Sequence, residues 1–351
     1  MISKLEITNF RCFRDVVITD LQQFNILVGD SASGKTALLE ACFLLGSASP
    51  EAWMRVRQWR GASAVIRLSG TRLSYDSVFR DIFYNFEKKK TASFRLERED
   101  GSARSLDIQY PHGQSYSRRA KRDEEADDNA FLIEPIQFRW RTGGKEFRSK
   151  VEFREGAIRY GSWNDIYPAW YNSPAINDAA LLSTLFSELS LKNQSGAVVR
   201  AVSSAFPSVR DVTLETIAGE ATLCVSFEFL DEKIPIGSIS SGISKYLALM
   251  TAAAANPGGL LLVDEFEVGF YYKHLSNILR SVFDFCAGLG VQIIATTHSY
   301  EFLQTILPMM KSSESGDHRF ALLRSERKSE GSSIRVLKDP AAAIESGFEV
   351  R

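Results

Sequence analysis

The sequence predicts an α/β fold in which a parallel core sheet, flanked by helices, carries an antiparallel β lobe and an inserted helical segment. Two observations predict it. The strand-like run FNILV at residues 24–28 passes straight into the glycine loop GDSASGKT and then into the helix-like TALLEACFLL. Toward the other end the pattern alternates: helix from Ser241 to about Ala255, strand GLLLVDE, helix near 271 to 286, strand VQIIATT, then another helix. Strands separated by helical crossovers pair in parallel.

Residues 2–8 alternate apolar and polar side chains, as a strand does, and carry no hydrophobic leader. From about 47 to 173, short β-like runs (ASFRLERE, SLDIQY, KVEFRE) lie between charged or Gly/Ser-containing turns, the pattern of an antiparallel lobe. Within it Arg118 to Asp128 (RRAKRDEEADD) has no apolar periodicity and reads as a solvated loop tip. A helical stretch follows from Ser173 to about Ala205, opened by Ser-Pro and broken near Asn193 to Gly196. VTLETIA and TLCVSFEF are then expected to return the chain to the core, and RFALLR and SIRVL to add two late strands. The expected division is a core of residues 1–50 and 236–351, a β lobe of 51–172, and a helical segment with returning strands of 173–235.

With 351 residues and 44% hydrophobic composition the chain can bury a sizeable core. Its 42 basic and 43 acidic side chains nearly cancel, so no whole-molecule field draws it to nucleic acid or an anionic membrane. Cys12, Cys42, Cys224 and Cys286 form no CxxC pair, which argues against a zinc site or disulfide framework and fits a reducing, cytoplasmic setting. No apolar run approaches the ~20 residues of a spanning helix, so any membrane role would need a partner.

Gly29, Asp30, Ser31, Ala32, Ser33, Gly34, Lys35 and Thr36 fit G-x-x-x-x-G-K-[ST], set between strand and helix as a phosphate loop requires. The backbone N–H groups and the positive helix end face phosphates, Lys35 reaches the β and γ groups, and Thr36 offers its hydroxyl to Mg²⁺. Four specified positions recur by accident in about one chain in a hundred of this length, so chance is the poorer explanation. Leu260 to Glu265 (LLLVDE) is an apolar strand ending in two carboxylates, where an α/β sheet places its ligands. Asp264 would hold Mg²⁺ through water, and Glu265 would orient or deprotonate the attacking water. Alone, such a pair is more often an acidic turn; beside a phosphate loop that becomes the lesser reading. The strand VQIIATTHS ends in His298, placed to sense a γ-phosphate, although a lone strand-end histidine is more often a capped polar residue. Ser240, Ser241 and Gly242 open a helix, which by itself means only an N-cap.

In this order, phosphate loop, Ser-Ser-Gly helix start, LLLVDE and TTHS resemble the head domains of ABC-type AAA ATPases, in the branch of SMC, RecF and OLD (overcoming lysogenisation defect) proteins. ITNFRCF resembles the opening of that branch, DEFEVGFYYKHL resembles a stretch of OLD-like ATPases, and IESGFEVR resembles their ending. The resemblance implies ATP rather than GTP, and a homodimer or higher homo-oligomer with composite ATP sites. In such a site Ser240, Ser241 and Gly242 of one subunit close on the γ-phosphate held by Lys35 of the other. It further implies Glu265 as catalytic base, Glu267 in the loop crossing between subunits, His298 as a switch histidine and Arg11 approaching the phosphates. Ala32, Tyr271 and SSG in place of LSGGQ depart from the wider pattern, most of all from transporters, and the Q-loop glutamine has no assignment.

SMC proteins carry long heptad arms and OLD nucleases a Toprim domain. Heptads are absent here, and the residues after His298 are too few for a Toprim domain, so a head without its own effector is expected. The leading expectation is an ATP-hydrolysing switch that dimerises on nucleotide and controls a separate effector, by family analogy in antiphage defence. The alternative is a RecF-like DNA clamp, supported by Arg55, Arg57, Arg60, Arg67 and Arg72 in one segment. A transporter subunit lacks its recognisable LSGGQ and Q-loop, and a purely structural ATP site would not need Glu265.

Overall fold

The computed structural model describes residues 1–62, 77–111, 116–118, 131–133, 135–154, 157–173, 179–312 and 320–347. Six strands form the core sheet, in the order β11 (Ala169–Asn172), β15 (Leu260–Val263), β16 (Gln292–Thr296), β3 (Phe24–Gly29), β17 (Phe320–Lys328) and β18 (Gly331–Val336). The first five run parallel, and β18 turns back against β17. Successive side chains leave opposite faces: Leu27, Leu260, Leu262 and Ile294 enter one cluster, while Ile26, Val28, Leu261, Val263, Ile293 and Ala295 enter another. A strand buried on both faces must be apolar at every step, which is why LLLV reads as an unbroken run.

Helix α1 (Lys35–Gly46) lies between this sheet and a second one, with ten of its twelve residues buried. The second sheet is antiparallel and seven-stranded, in the order β10 (Ala157–Arg159), β9 (Lys145–Arg154), β8 (Ile136–Thr142), β5 (Ala103–Gln109), β4 (Ala92–Arg98), β1 (Ile2–Phe10) and β2 (Phe13–Ile18). Its strands alternate buried and exposed side chains, so only one face, with Leu106, Ile108, Phe138 and Trp140, packs on the core. Arg104 of β5 crosses to the end of α1, where Nε donates to the Leu45 carbonyl at 2.8 Å and Nη2 to that of Ser47 at 2.7 Å. A cation there satisfies the last carbonyls of the helix and complements its dipole.

The lobe is thus composed differently from the expected span 51–172. β1 and β2 join its sheet, with Leu5 opposite Leu96 and Leu5 opposite Ile18, while residues 51–59 form helix α2 (Glu51–Trp59) and β11 belongs to the core sheet. Period-two alternation identifies a strand without naming its neighbour. A short pair, β6 (Tyr116–Arg118) with β7 (Phe131–Ile133), completes the described part of this region. The charge block after Arg118, Arg67 and Arg72, and the last four residues of IESGFEVR lie outside the described residues.

The other face of the core sheet is covered by α3 (Ala179–Leu191), α4 (Ser195–Ala205), α5 (Ser241–Ala255), α6 (Leu275–Gly288) and α7 (Tyr300–Ser312), with α8 (Pro340–Ser346) against α7. The two runs expected to return to the core instead build a small sheet of their own, β12 (Val209–Ile217), β13 (Glu220–Phe227) and β14 (Ile234–Pro235). It is tied to the helical layer where the Leu223 amide donates to Ser183 Oγ at 3.0 Å. No helix among the described residues is long and apolar enough to cross a membrane.

Candidate active site

The C-terminal ends of β3, β15 and β16 lie side by side and carry the residues singled out in the sequence. β3 ends at Gly29, whose φ is +136° and where a Cβ would stand 2.1 Å from the Ser325 carbonyl oxygen of β17. Only glycine tolerates both demands. Ala32 is also left-handed, with φ 60°, and Gly34 follows at φ 111° as the N-cap of α1. A Cβ on Gly34 would meet Cys12 Sγ at 2.7 Å, because the β1–β2 turn closes over the loop. Ser325 Oγ donates to the Ser33 carbonyl at 2.8 Å and fixes the loop from beneath. The Ser33 side chain is fully buried, and its Oγ has no partner among the described residues.

Lys35 Nζ donates to the carbonyls of Gly29 at 2.7 Å and Asp30 at 2.8 Å, which folds the ammonium back over the loop. Burial lowers its pKa, opposed by the carboxylates of Asp264, Asp30 and Glu265. The next residue, Thr36, donates its hydroxyl to Asp264 Oδ2 at 3.0 Å. Asp264 also accepts from Tyr171 at 3.1 Å and, on Oδ1, from Thr296 Oγ1 at 2.6 Å. Its carboxylate is therefore held by three neutral hydroxyls from β11, α1 and β16. Burial, and then the charges of Asp264 and Glu40, raise the Tyr171 phenol far above its ordinary pKa, so Tyr171 stays a donor.

Glu265 follows with φ 48°, a left-handed conformation that costs a non-glycine residue about 1–3 kcal/mol. Two contacts impose it. Its amide donates to Thr296 Oγ1 at 2.9 Å, and its carbonyl accepts from Lys245 Nζ at 2.8 Å. The same ammonium donates to the carbonyls of Phe266 and Val268, each at 3.0 Å. Burial lowers the Lys245 pKa to about 8, against the pull of Glu267, Glu265 and Asp264.

The remaining candidates sit around this loop. The His298 amide donates to Glu267 Oε1 at 3.1 Å, while the His298 side chain is exposed. Glu267 Oε2 is buried without a partner among the described residues. Ser240 caps α5 and, with Ser241, is exposed; Gly242 is buried beneath the Gly269 carbonyl, 2.6 Å from where its Cβ would be. Among the described residues no hydrogen bond or ion pair joins Ser240, Ser241 or Gly242 to the phosphate loop. The structure thus brings Lys35, Thr36, Asp264, Glu265 and His298 to one sheet end and packs the helix start against the Glu265–Phe270 turn.

Arg11 is engaged by its own chain. Its Nε lies 2.7 Å from Glu40 Oε2, its guanidinium stacks 5.0 Å from the Trp53 ring, and its side chain is 12% exposed. Arg60 Nε approaches the other oxygen of Glu40 at 2.5 Å. Burial pushes the Glu40 pKa up, and the two arginines oppose it. Sequence reasoning missed Thr296, Tyr171, Lys245 and Ser325. Only Lys245, three residues after Gly242, carried a local signal, being the one charged residue of its helix.

The donor set suits Mg²⁺, a hard cation that keeps several waters and takes one or two carboxylates plus substrate phosphates. Asp264 would supply the carboxylate and Thr36 a hydroxyl without a cage, and among the described residues no cluster of three or more His, Cys, Asp or Glu forms one.

The family model described as "AAA domain, putative AbiEii toxin, Type IV TA system" matches residues 24–304. An "ATP/GTP phosphatase" of Helicobacter pylori is 18% identical over 338 residues, 87% of each chain. The DNA replication and repair protein RecF of Idiomarina loihiensis is 47% identical over 45 residues, 13% of each chain. Among solved structures, the SMC head domain from Thermotoga maritima is similar at 13% identity and a TM-score of 0.44, covering 96% of this chain and 99% of that one. An Smc head with an extended coiled coil, bound to the C-terminal domain of ScpA from Pyrococcus furiosus, is similar at 12% identity and a TM-score of 0.47, over 100% and 99%.

Proposed function

The chain belongs to the AAA domain family that its residues 24–304 match, and on that premise we propose an ATP-hydrolysing switch that closes as a dimer on nucleotide. The observation that carries this reading is the hydroxyl-lined contact between Thr36 and Asp264 with Glu265 at the next position, all at one sheet end. Loop N–H groups and Lys35 hold the phosphates, which requires Lys35 to exchange its loop carbonyls for phosphate oxygens. Thr36 and Asp264 would hold Mg²⁺, which would supply charge neutralisation to the phosphates. Glu265, fixed at both its amide and its carbonyl, orients the attacking water and accepts its proton.

Among the described residues Ser240, Ser241 and Gly242 make no hydrogen bond or ion pair with their own phosphate loop, which supports their use by a second copy. In that arrangement the exposed N-terminus of α5 meets the γ-phosphate held by the other chain's Lys35, and His298 faces it from the end of β16. Nucleotide then joins the subunits, Glu267 lies near the junction, and the assembled state is what a separate effector reads. Service in antiphage defence, in the cytoplasm, is the biological setting of this reading, with which the family description is compatible.

A DNA clamp is the weaker reading. It draws on the 45-residue likeness to RecF, yet the described arginines that favoured it are engaged. Arg55 pairs with Glu51 at 3.2 Å, Arg57 donates to the Ser77 carbonyl at 2.8 Å, and Arg60 binds Glu40. The test is phosphate release from ATP with and without Mg²⁺. Activity in the native chain, absent without the metal and abolished by Lys35→Ala, is expected; turnover that survives Lys35→Ala contradicts the assignment.

A further inference from the structure

The turn that carries the catalytic carboxylate is held from the helix that begins at Ser241. Lys245 sits one turn into α5 and is only 7% exposed. It spends its three ammonium hydrogens on three carbonyls of one turn: Glu265, Phe266 and Val268. Its charge lies between the rings of Phe266, at 5.9 Å, and Phe270, at 5.5 Å. The turn is packed onto the helix start as well, with the Gly269 carbonyl against Gly242. A lysine has three donors on a compact ammonium, so the match is complete, and no carboxylate forms an ion pair with it among the described residues. Such a buried cation ties two backbone segments rigidly, because any separation strands either the charge or the carbonyls.

We propose that Lys245 is a positioning residue: it holds Glu265 in its left-handed conformation, so that closure of the Ser240–Gly242 helix start on a partner's nucleotide is transmitted to the Glu265 of the same chain. This rests on the composite-site reading above. Each chain lends its helix start to one ATP and its Glu265 to the other, and Lys245 is the direct bond between the two. Hydrolysis at one site then depends on occupancy of its twin, and the paired sites act together.

Lys245→Met, Lys245→Arg and Lys245→Gln in the full chain test this. Lys245→Met is expected to lower kcat about 10²-fold, the scale of an ångström-level misplacement, while KM and ATP-driven dimerisation change little. Amide hydrogen exchange across residues 265–270 accelerates in the nucleotide-free variant, and Lys245→Arg recovers much of both. If thermal melting shows that Lys245→Met does not fold, Lys245→Gln, with two donors, takes its place. Unchanged kcat or unchanged exchange in a folded variant overturns the proposal.

Mixed dimers separate it from a role in holding the helix against nucleotide. With Glu265→Gln in one chain, only the other chain's Glu265 works. Placing Lys245→Met beside the intact Glu265 is expected to lower the remaining turnover about 10²-fold, and placing it beside Glu265→Gln to spare it. The opposite result assigns Lys245 to the helix start and overturns the coupling. A native chain that neither hydrolyses ATP nor dimerises sinks the composite site itself, and the coupling with it.

Discussion

Two carboxylates, Glu40 on α1 and Asp264 beside the start of that helix, are treated in opposite ways. Asp264 is held by three neutral hydroxyls, from Thr36, Thr296 and Tyr171, and in the proposed function it would meet a cation that arrives with substrate. Glu40, 1% exposed, is clamped between Arg11 and Arg60, so its charge is consumed within the fold. The first arrangement orients a carboxylate without neutralising it. The second welds the β1–β2 turn and α2 to the helix that follows the phosphate loop. On the proposed function, similar chemistry thus serves catalysis in one place and architecture in the other, and the partners decide which.

The largest expected break comes from Asp264→Asn. Turnover should fall about 10³-fold, the rate equivalent of the several kcal/mol that a bound metal contributes, while the melting temperature moves little. Steady-state kinetics beside a thermal melt reads both. Glu40→Gln should do the reverse, destabilising the fold by about 3–5 kcal/mol because the buried Arg11 loses its close partner and keeps only Asp81, 3.6 Å away, with near-native turnover per folded molecule. Denaturant titration measures it. An Asp264 variant that unfolds, or a Glu40 variant that is stable but inactive, would exchange the two roles.

Tyr171→Phe sharpens the comparison with a smaller effect. It removes one donor to Asp264 but keeps the ring stacked on Trp59, 4.2 Å away with 13° between the planes. Loss of such an outer-shell partner should raise the Mg²⁺ concentration for half-maximal turnover about tenfold, with kcat at saturating metal nearly intact. A metal titration of the rate shows it.

The sequence carried the Asp264 region far better than the Glu40 region. Lys35, Thr36, Asp264 and Glu265 were legible because a phosphate loop and an apolar strand ending in carboxylates encode their chemistry within a few consecutive residues. The span of α5 was legible from its cap and its apolar run. Arg11 was read toward phosphate by resemblance, whereas its partner Glu40 is an unremarked residue of a helix and Arg60 comes from a third segment. Tyr171 and Thr296 escaped for the same reason: they reach Asp264 only because β11 and β16 flank β15. Strand neighbours are set by tertiary packing, and local periodicity does not record them. The lobe boundary failed on that point too, since β1 alternates like any strand and nothing in its own residues names β4 as its partner.

The composite nucleotide site is tested most directly by the mass of Glu265→Gln in solution, by light scattering, with and without Mg²⁺ and ATP. The account predicts a shift from monomer to dimer on adding ATP, with one ATP retained per chain and the shift abolished by Lys35→Ala. A Glu265→Gln chain that binds ATP fully and remains a monomer would contradict it.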